Sequence, residues 1–344
     1  MATILDVARA AGVSASSVSN FLNDRRGKMA PATRERIETA ITELRYRPSR
    51  VALQLKTGKT ATIGLLVPAV ANPFFGAVAM AIQRAAQARG YQVILCNTFR
   101  DPKREREFAE DLVALGVRGI ITGASLLNPG HLSELASKGL SVVAFEGDAG
   151  AAVPGIHVVS VDNAMATTLA VDHLVTLGHR RIAYVTGPAQ TAARVARLKG
   201  FRTAAERHGL GEDASVHEIS LPPNDYGDDM IAELGVGAAL ALAKAPRRPT
   251  ALIAMNDLLA IGLAAGLREH GITIPDDIAM VGIDDLFLAR LMNPPMTSLR
   301  QPLAAMAEAA IACLVGDAGE AAPTTALIFP PELIVRQSTV PAAI

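Results

Sequence analysis

Thr3-Ile4-Leu5-Asp6-Val7-Ala8-Arg9-Ala10-Ala11-Gly12-Val13-Ser14-Ala15-Ser16-Ser17-Val18-Ser19-Asn20-Phe21-Leu22 contains two helices with the corner between them already marked. Thr3 and Asp6 stand at capping-box spacing, a hydroxyl to cap the first turn and a carboxylate three residues on. Val7, Ala8 and Ala11 then make an inward stripe. Gly12 suits the left-handed residue that ends a helix, Val13 can plug the angle, and Ser14 can cap a second helix whose Val18, Phe21 and Leu22 share one face. Pro31 sits well in the first turn of a third helix. Ile37, Ala40, Ile41 and Leu44 recur there at i, i+3, i+4 and i+7, enough to close a three-helix core. The stretch predicts an all-α helix-turn-helix unit.

The opposite face of the second helix carries Ser16, Ser17 and Asn20, with Ala15 at its start; these are small polar groups or methyls suited to base edges and phosphates. The plain alternative is an ordinary solvated face. Arg34, Arg36 and Arg45 line the outside of the third helix. From Met1 to Gly58 there are 10 Lys+Arg against 5 Asp+Glu, while the remainder carries 23 against 28. A net charge of zero therefore hides a basic end on an acidic body, the layout expected where one end alone meets nucleic acid. After Tyr46-Arg47-Pro48 breaks the third helix, Ser49 can cap a segment from Arg50 to Lys56 that is too short to be a stable helix in isolation.

The chain has 344 residues, 50% of them hydrophobic and 19% charged, which suits a soluble, modular protein of two or three domains. No uncharged apolar run reaches the roughly 18 residues of a membrane span, and the N-terminus lacks the basic and apolar segments of an export signal. A cytoplasmic location without membrane contact is expected. Cys96 and Cys313 lie far apart in apolar stretches and read as small core residues of a reduced compartment.

From Thr62 the pattern changes to short β-runs alternating with Ala-rich helices: Ile63 to Val67, Val93 to Cys96, Gly119 to Ile121 and Val142 to Phe145. A second set follows in Ile182 to Val185, Ala251 to Ala254 and Ile278 to Ile283. Continuous apolar strands separated by helices predict parallel sheets covered on both faces, here an α/β body of two similar lobes. In such sheets ligands sit beyond the carboxyl ends of the strands. Those positions hold Asn72-Pro73-Phe74-Phe75, whose rings can stack on a sugar or flat heterocycle, then Arg194 and Arg197, Asn256-Asp257 and Asp284-Asp285. Val161-Asp162-Asn163 lies where the chain is expected to cross between lobes. Arg194 together with Arg197 hints at a carboxylate or phosphate on the ligand.

The sequence resembles the lactose/galactose repressor (LacI/GalR) family of bacterial transcription regulators. The resemblance is carried by Thr3-Ile4-Leu5-Asp6-Val7-Ala8, Ala11-Gly12-Val13-Ser14, Val18-Ser19, Leu22-Asn23, Thr33-Arg34, Tyr46-Arg47-Pro48 and Val51-Ala52 with Leu55, and it runs on to Pro331-Glu332-Leu333-Ile334-Val335-Arg336 near the end. It implies a helix-turn-helix domain over 1–48, a hinge over 49–58 and a two-lobed, type I periplasmic-binding-protein-like sensor over 59–344. Lobe 1 is expected at about 62–161 and 292–322, and lobe 2 at about 162–291 and 323–340. The resemblance implies a repressor that binds palindromic operator DNA as a homodimer, controlled by a small effector, a sugar or sugar derivative, held between the lobes. Thr3, Ser14, Ala15, Ser16, Ser17, Ser19, Asn20, Asn23, Arg25, Arg26 and Arg50 are then the expected DNA contacts. Leu55 holds the position of a minor-groove wedge. Asn72, Phe74, Phe75, Asp162, Arg194, Arg197, Asn256 and Asp284 are the expected effector contacts. Two departures stand out: Ser17 replaces the family's usual Thr, and Ala30 stands where a capping Ser is common.

Two other functions fit parts of such a chain. An enzyme needs a site, but Gly235-Val236-Gly237 lacks the third glycine of a dinucleotide fingerprint and no Gly-Lys-Ser/Thr loop, metal-ligand clustering or nucleophile elbow appears. No catalytic residue, metal or cofactor is expected. A solute-binding protein would share the body but not the first sixty residues.

Overall fold

The computed structural model describes residues 2–22, 29–46, 61–123, 130–147, 150, 153–221, 230–316 and 325–340. It divides into two units, one ending at Thr60 and one beginning at Ala61.

In the first unit α1 (Ile4–Ala11), α2 (Ala15–Leu22) and α3 (Pro31–Glu43) enclose Val7, Ala8, Ala11, Val18, Phe21, Ile37 and Ala40. The capping box forms: the Thr3 backbone N donates to Asp6 Oδ2 at 2.8 Å and the Asp6 N donates to Thr3 Oγ1 at 3.3 Å. Gly12 adopts φ 63°, which L side chains avoid, and its N–H donates to the Ala8 and Arg9 carbonyls to end α1. Ser14 Oγ accepts from the Ser17 N at 3.2 Å and so caps α2. Ala30 precedes α3 without a side-chain cap. Leu44 departs from the expected core stripe. The helix stops at Glu43, Arg45 turns the chain at φ 46°, and Leu44 is left exposed while Tyr46 packs against the cluster.

The second unit begins with β1 (Thr62–Val67), α4 (Pro73–Ala88), β2 (Gln92–Asn97), α5 (Pro102–Ala114), β3 (Gly119–Thr122), α6 (Ser133–Ser137), β4 (Ser141–Phe145) and β5 (Ile156–Val161). It continues with α7 (Asn163–Thr176), β6 (Ile182–Thr186), α8 (Ala192–Arg207), β7 (Ala214–Glu218), α9 (Ile231–Ala243), β8 (Ala251–Ala254), α10 (Asp257–Glu269), β9 (Ala279–Ile283), α11 (Phe287–Leu291) and β10 (Thr297–Arg300). It ends with α12 (Leu303–Val315), β11 (Ala326–Phe329) and β12 (Glu332–Ile334). Two six-stranded sheets result, in the orders β11-β5-β4-β3-β1-β2 and β12-β10-β9-β8-β6-β7. All pairings are parallel except β10 with β12.

Period-two alternation explains how one strand serves two cores. Ile63, Leu65 and Val67 of β1 join Phe74, Val78 and Ile82 of α4 and Met306 and Ile311 of α12 on one face, while Leu66 meets Leu112 and Ile120 on the other. In the second lobe Tyr184, Leu252 and Val281 lie at the centre of one continuous core with α7, α8, α9 and α10. Gly235 and Gly237 lie inside α9, a helix interior rather than a phosphate-binding turn.

The chain passes between lobes after Val161, between Arg300 and Leu303, and between Phe329 and Glu332. The second and third differ from the expected 292 and 323. The strand Thr297-Ser298-Leu299-Arg300 belongs with lobe 2 because Ser298 and Leu299 register with Gly282 and Ile283 of β9. β11 belongs with lobe 1 through Leu327 opposite Val159 of β5.

Candidate functional site

Both lobes place four strands to one side of their first strand and one to the other, the order 2-1-3-4-5 with one further edge strand, which opens a crevice at the carboxyl ends where the winding reverses. Beyond β1 the chain turns into α4, and Asn72 caps that helix by accepting from the Phe74 N at 3.0 Å. Phe74 and Phe75 follow, edge to face with centroids 5.3 Å apart. Beyond β6, Thr191 caps α8 by accepting from the Arg194 N, which sets Arg194 and Arg197 one turn apart along that helix. Beyond β8, Asn256 caps α10 through the Leu259 N at 2.8 Å. Beyond β9, Asp284 stands at φ 117°. This unusual backbone is held by consecutive amides: the Asp284 N donates to the Leu299 O, the Asp285 N to Ser298 Oγ and the Leu286 N to Asp257 Oδ2.

Asn72, Phe74, Phe75, Arg194, Arg197, Asn256 and Asp284 line a single cavity, together with Arg100, Gly123, Glu146, Thr191, Ala193 and Met255. Asp162 is the exception. It caps α7, its Oδ1 accepting from the Met165 N at 2.8 Å, and is not part of the lining. The next residue, Asn163, is the buried one, and its Oδ1 accepts from Arg197 Nε at 2.7 Å. The sequence placed a functional carboxylate one residue before the amide that braces the arginine.

Arg197 is fixed on all sides. Besides Asn163, its Nη1 donates to the Met255 carbonyl at 2.6 Å, and its Nη2 lies 3.9 Å from Asp284 Oδ1. That last separation is too long for a hydrogen bond and leaves donor and acceptor both able to reach one ligand hydroxyl. Asp284 Oδ1 also accepts from Gln301 Nε2 at 2.9 Å, while Gln301 Oε1 is buried with no hydrogen-bond partner. Burial pushes the Asp284 carboxyl well above the ordinary carboxylate range; Arg197 opposes this, and Asp257 and Glu146 add to it. Burial raises Glu146 too, against the pull of Arg197, Arg100 and Gln301. Asp285, beside Asp284 in sequence, does different work. It accepts from Arg300 Nε at 2.8 Å and from Arg336, tying β10 to the segment after β12.

Arg100, Glu146 and Gln301 were not anticipated. Arg100 and Glu146 follow β2 and β4, so the rule that pointed to the other strand ends applies to them equally. The cavity measures about 50 Å³, well below the roughly 300 Å³ at which ordinary ligand pockets begin. Among the described residues no group of three or more His, Cys, Asp or Glu is placed to hold a metal ion, and no helix is long and apolar enough to cross a membrane.

On the helix-turn-helix unit, Ser14, Ser16 and Asn20 are exposed, and Ser17 and Ser19 are partly so. Ser14 Oγ lies 2.8 Å from Ser16 Oγ and 2.9 Å from Ser17 Oγ, a hydroxyl cluster at the start of α2. Ala15 is half-buried against the core, and Thr3 is engaged with Asp6 in the cap. Asn23, Arg25, Arg26, Arg50 and Leu55 lie outside the described residues.

Comparison with known proteins places both parts. Residues 3–49 match the model of bacterial regulatory proteins of the lacI family, and residues 171–339 match that of the periplasmic binding protein-like domain. The chain is 33% identical to the HTH-type transcriptional regulator DegA of Bacillus subtilis, with 98% of each chain covered. It is 34% identical to the ribose operon repressor of Escherichia coli, with 92% of each covered. Among solved structures, the lac repressor dimer bound to operator and an anti-inducer superposes with a TM-score of 0.84 at 26% identity, covering 98% of this chain and 99% of that one.

Proposed function

Since the chain belongs to the LacI family of bacterial regulatory proteins, we propose that it is a transcriptional repressor whose hold on a palindromic operator is set by a small effector bound between the two lobes. The observation that carries this is the pairing, in one chain, of a capped helix-turn-helix with a hydroxyl-rich second helix and a cleft lined by convergent polar groups of both lobes. A solute-binding protein has no use for the first. The relatives it matches are regulators and not enzymes.

In this reading α2 enters the major groove, with Ser16 and Asn20 at base edges and Ser14, Ser17 and Ser19 near phosphates. Ala15 can offer only its methyl. Thr3 reaches DNA only with its capping hydroxyl. Asn23, Arg25, Arg26, Arg50 and the wedge Leu55 remain part of the proposed interface on the family resemblance. The chain acts as a homodimer in the cytoplasm, its twofold matching a palindrome; exposed Met80, Phe287 and Leu291 supply apolar surface for the second copy. The effector is a sugar or sugar derivative, its hydroxyls received by Asp284, Arg197, Asn256 and Gln301 and one face packed on Phe74 and Phe75. The protein needs no cofactor for this.

Selection of bound duplexes from a random DNA pool tests the reading. Enrichment of a palindrome with a flexible pyrimidine-purine step at its centre is expected, with an affinity that falls steeply as salt rises. A pool that emerges unenriched, with and without sugars present, would leave only the solute-binding alternative.

A further inference from the structure

A second cavity lies beside the effector cavity, about 650 Å³ in volume and so within the range of small-molecule sites. Both lobes and the crossing between them contribute to its lining: Phe74 at the start of α4, Phe287 at the start of α11, Gln301 on the crossing, and Leu303, Ala304 and Ala305 in the first turn of α12. Gln301 is 4% exposed. Its Nε2 donates to Asp284 Oδ1 at 2.9 Å, and its Oε1 is a buried acceptor with no hydrogen-bond partner. Such a group is costly to leave without a donor. One turn further on, α12 begins without a side-chain cap. Pro302 is its N-cap and the Leu303 N donates to the Gln301 carbonyl, but the N–H groups of Ala304 and Ala305 find no acceptor among the described residues. α12 is 13 residues long, so the positive end of its dipole adds to these two donors.

An acceptor in need of a donor and two donors in need of an acceptor thus stand a helical turn apart in one cavity. The rings of Phe74 and Phe287 and the side chain of Leu303 give it an apolar wall. Its carboxyl groups do not oppose an anion. Asp285 is paired with Arg300 and Arg336, and burial holds the Asp284 carboxyl towards its protonated form. We propose that this cavity is a second small-molecule site and that its ligand is a hydroxylated aromatic carboxylic acid. The carboxylate accepts from the Ala304 and Ala305 N–H groups, the hydroxyl donates to Gln301 Oε1, and the ring lies against Phe74 and Phe287. Phe74 and Asp284 line both cavities, so an occupant of the second touches the walls of the first. The assignment stands on this cavity alone and holds whatever the effector cavity binds.

The test is calorimetry on the full-length protein with 4-hydroxybenzoate and 4-hydroxyphenylacetate. Each is compared with its parent acid, benzoate or phenylacetate, which lacks the hydroxyl, and with its amide, which lacks the charge. At least one hydroxy acid is expected to bind about tenfold or more tightly than both its parent acid and its amide. Ala305→Glu places a carboxylate in the first turn of α12, where it suits the helix end. The urea midpoint should therefore hold or rise while the hydroxy acid loses about tenfold or more in affinity, and Ala305→Gln, of similar size without the charge, should lose clearly less. Gln301→Leu should bring the hydroxy acid down to the level of its parent acid. Ala305 lines this cavity and not the effector cavity, so the Glu variant also reports where the acid binds. The assignment is overturned if neither hydroxy acid binds, if neither gains over its parent acid and amide, or if the affinity survives Ala305→Glu. Operator binding by the same preparation is scored separately, so a protein that holds operator and no hydroxy acid keeps the repressor reading and loses the second site.

Discussion

Asp257, the first residue of α10, is wholly buried behind the cleft, with Ser298 Oγ donating to its Oδ1 at 2.6 Å and the Leu286 N to its Oδ2 at 2.7 Å. Burial pushes its carboxyl up to about 7, beyond what those two hydrogen bonds pull back. The folded value lies above the unfolded one, so between roughly pH 4 and 7 the native chain binds more protons than the unfolded chain. The contribution of Asp257 is therefore fully present below that window and is lost as pH rises through it. At about 1.4 kcal/mol per unit the loss between pH 5 and 8 amounts to about 2 to 3 kcal/mol. Asp257→Asn should flatten the pH dependence of the urea midpoint by about that much; equal slopes in both proteins would show that Asp257 does not titrate as described. The same neighbourhood shows what sequence can carry. Arg197, Asn256 and Asp284 were legible because each begins or follows a strand-to-helix junction that apolar periodicity locates. Arg100 and Glu146 follow β2 and β4 in the same way and lay equally within reach of the strand-end rule; nothing in their local sequence singles them out. Asp162 and Asn163 differ by one position, and which of them caps the helix and which faces Arg197 depends on the helix phase.

Elements bring these residues into register through close approach. α7 and α8 cross at Gly200, where a Cβ would stand 2.2 Å from the Ala164 carbonyl and 2.5 Å from Thr167 Oγ1. Thr167 Oγ1 also donates to the Arg197 carbonyl at 2.8 Å, so the contact that needs glycine is one turn from the arginine it positions. Gly200→Ala must push α8 away from α7. A destabilisation of about 1 to 3 kcal/mol is expected, together with weakened effector binding, because Arg197 on α8 and Asn163 on α7 separate. Urea denaturation and calorimetry read the two effects. A variant with altered stability and intact effector affinity would mean that the Arg197 brace tolerates the shift. At this scale the two helices on either side of the first corner were readable from Thr3, Gly12 and Ser14, since caps are local chemistry. The lobe crossings were not. β10 reads Thr-Ser-Leu-Arg and β12 spans three residues, so neither presents the continuous apolar run by which the inner strands declare themselves; β11 does read Ala-Leu-Ile-Phe, but its half-exposed place at the edge of lobe 1 comes from pairing with β5 and not from its own pattern.

Across the whole molecule, DNA reading and effector binding lie in separate units, divided at Thr60 and Ala61. An effector alters operator affinity only so far as it binds the DNA-competent and DNA-released states differently. The cleft supplies such a difference because its lining comes from both lobes, so an effector that touches both favours one arrangement of the lobes over another. Arg100 and Glu146 come from one lobe, and Arg194, Arg197 and Asp284 from the other. Coupling of this kind is worth about 1 to 3 kcal/mol, a factor of roughly 5 to 150. It is reciprocal, whichever sign it takes. Calorimetry of the effector against the free protein and against the operator complex should therefore give affinities differing by the same factor that the effector imposes on operator binding. A change in operator affinity without the matching change in effector affinity would require a third state, such as an altered dimer equilibrium, and would sink the two-state account.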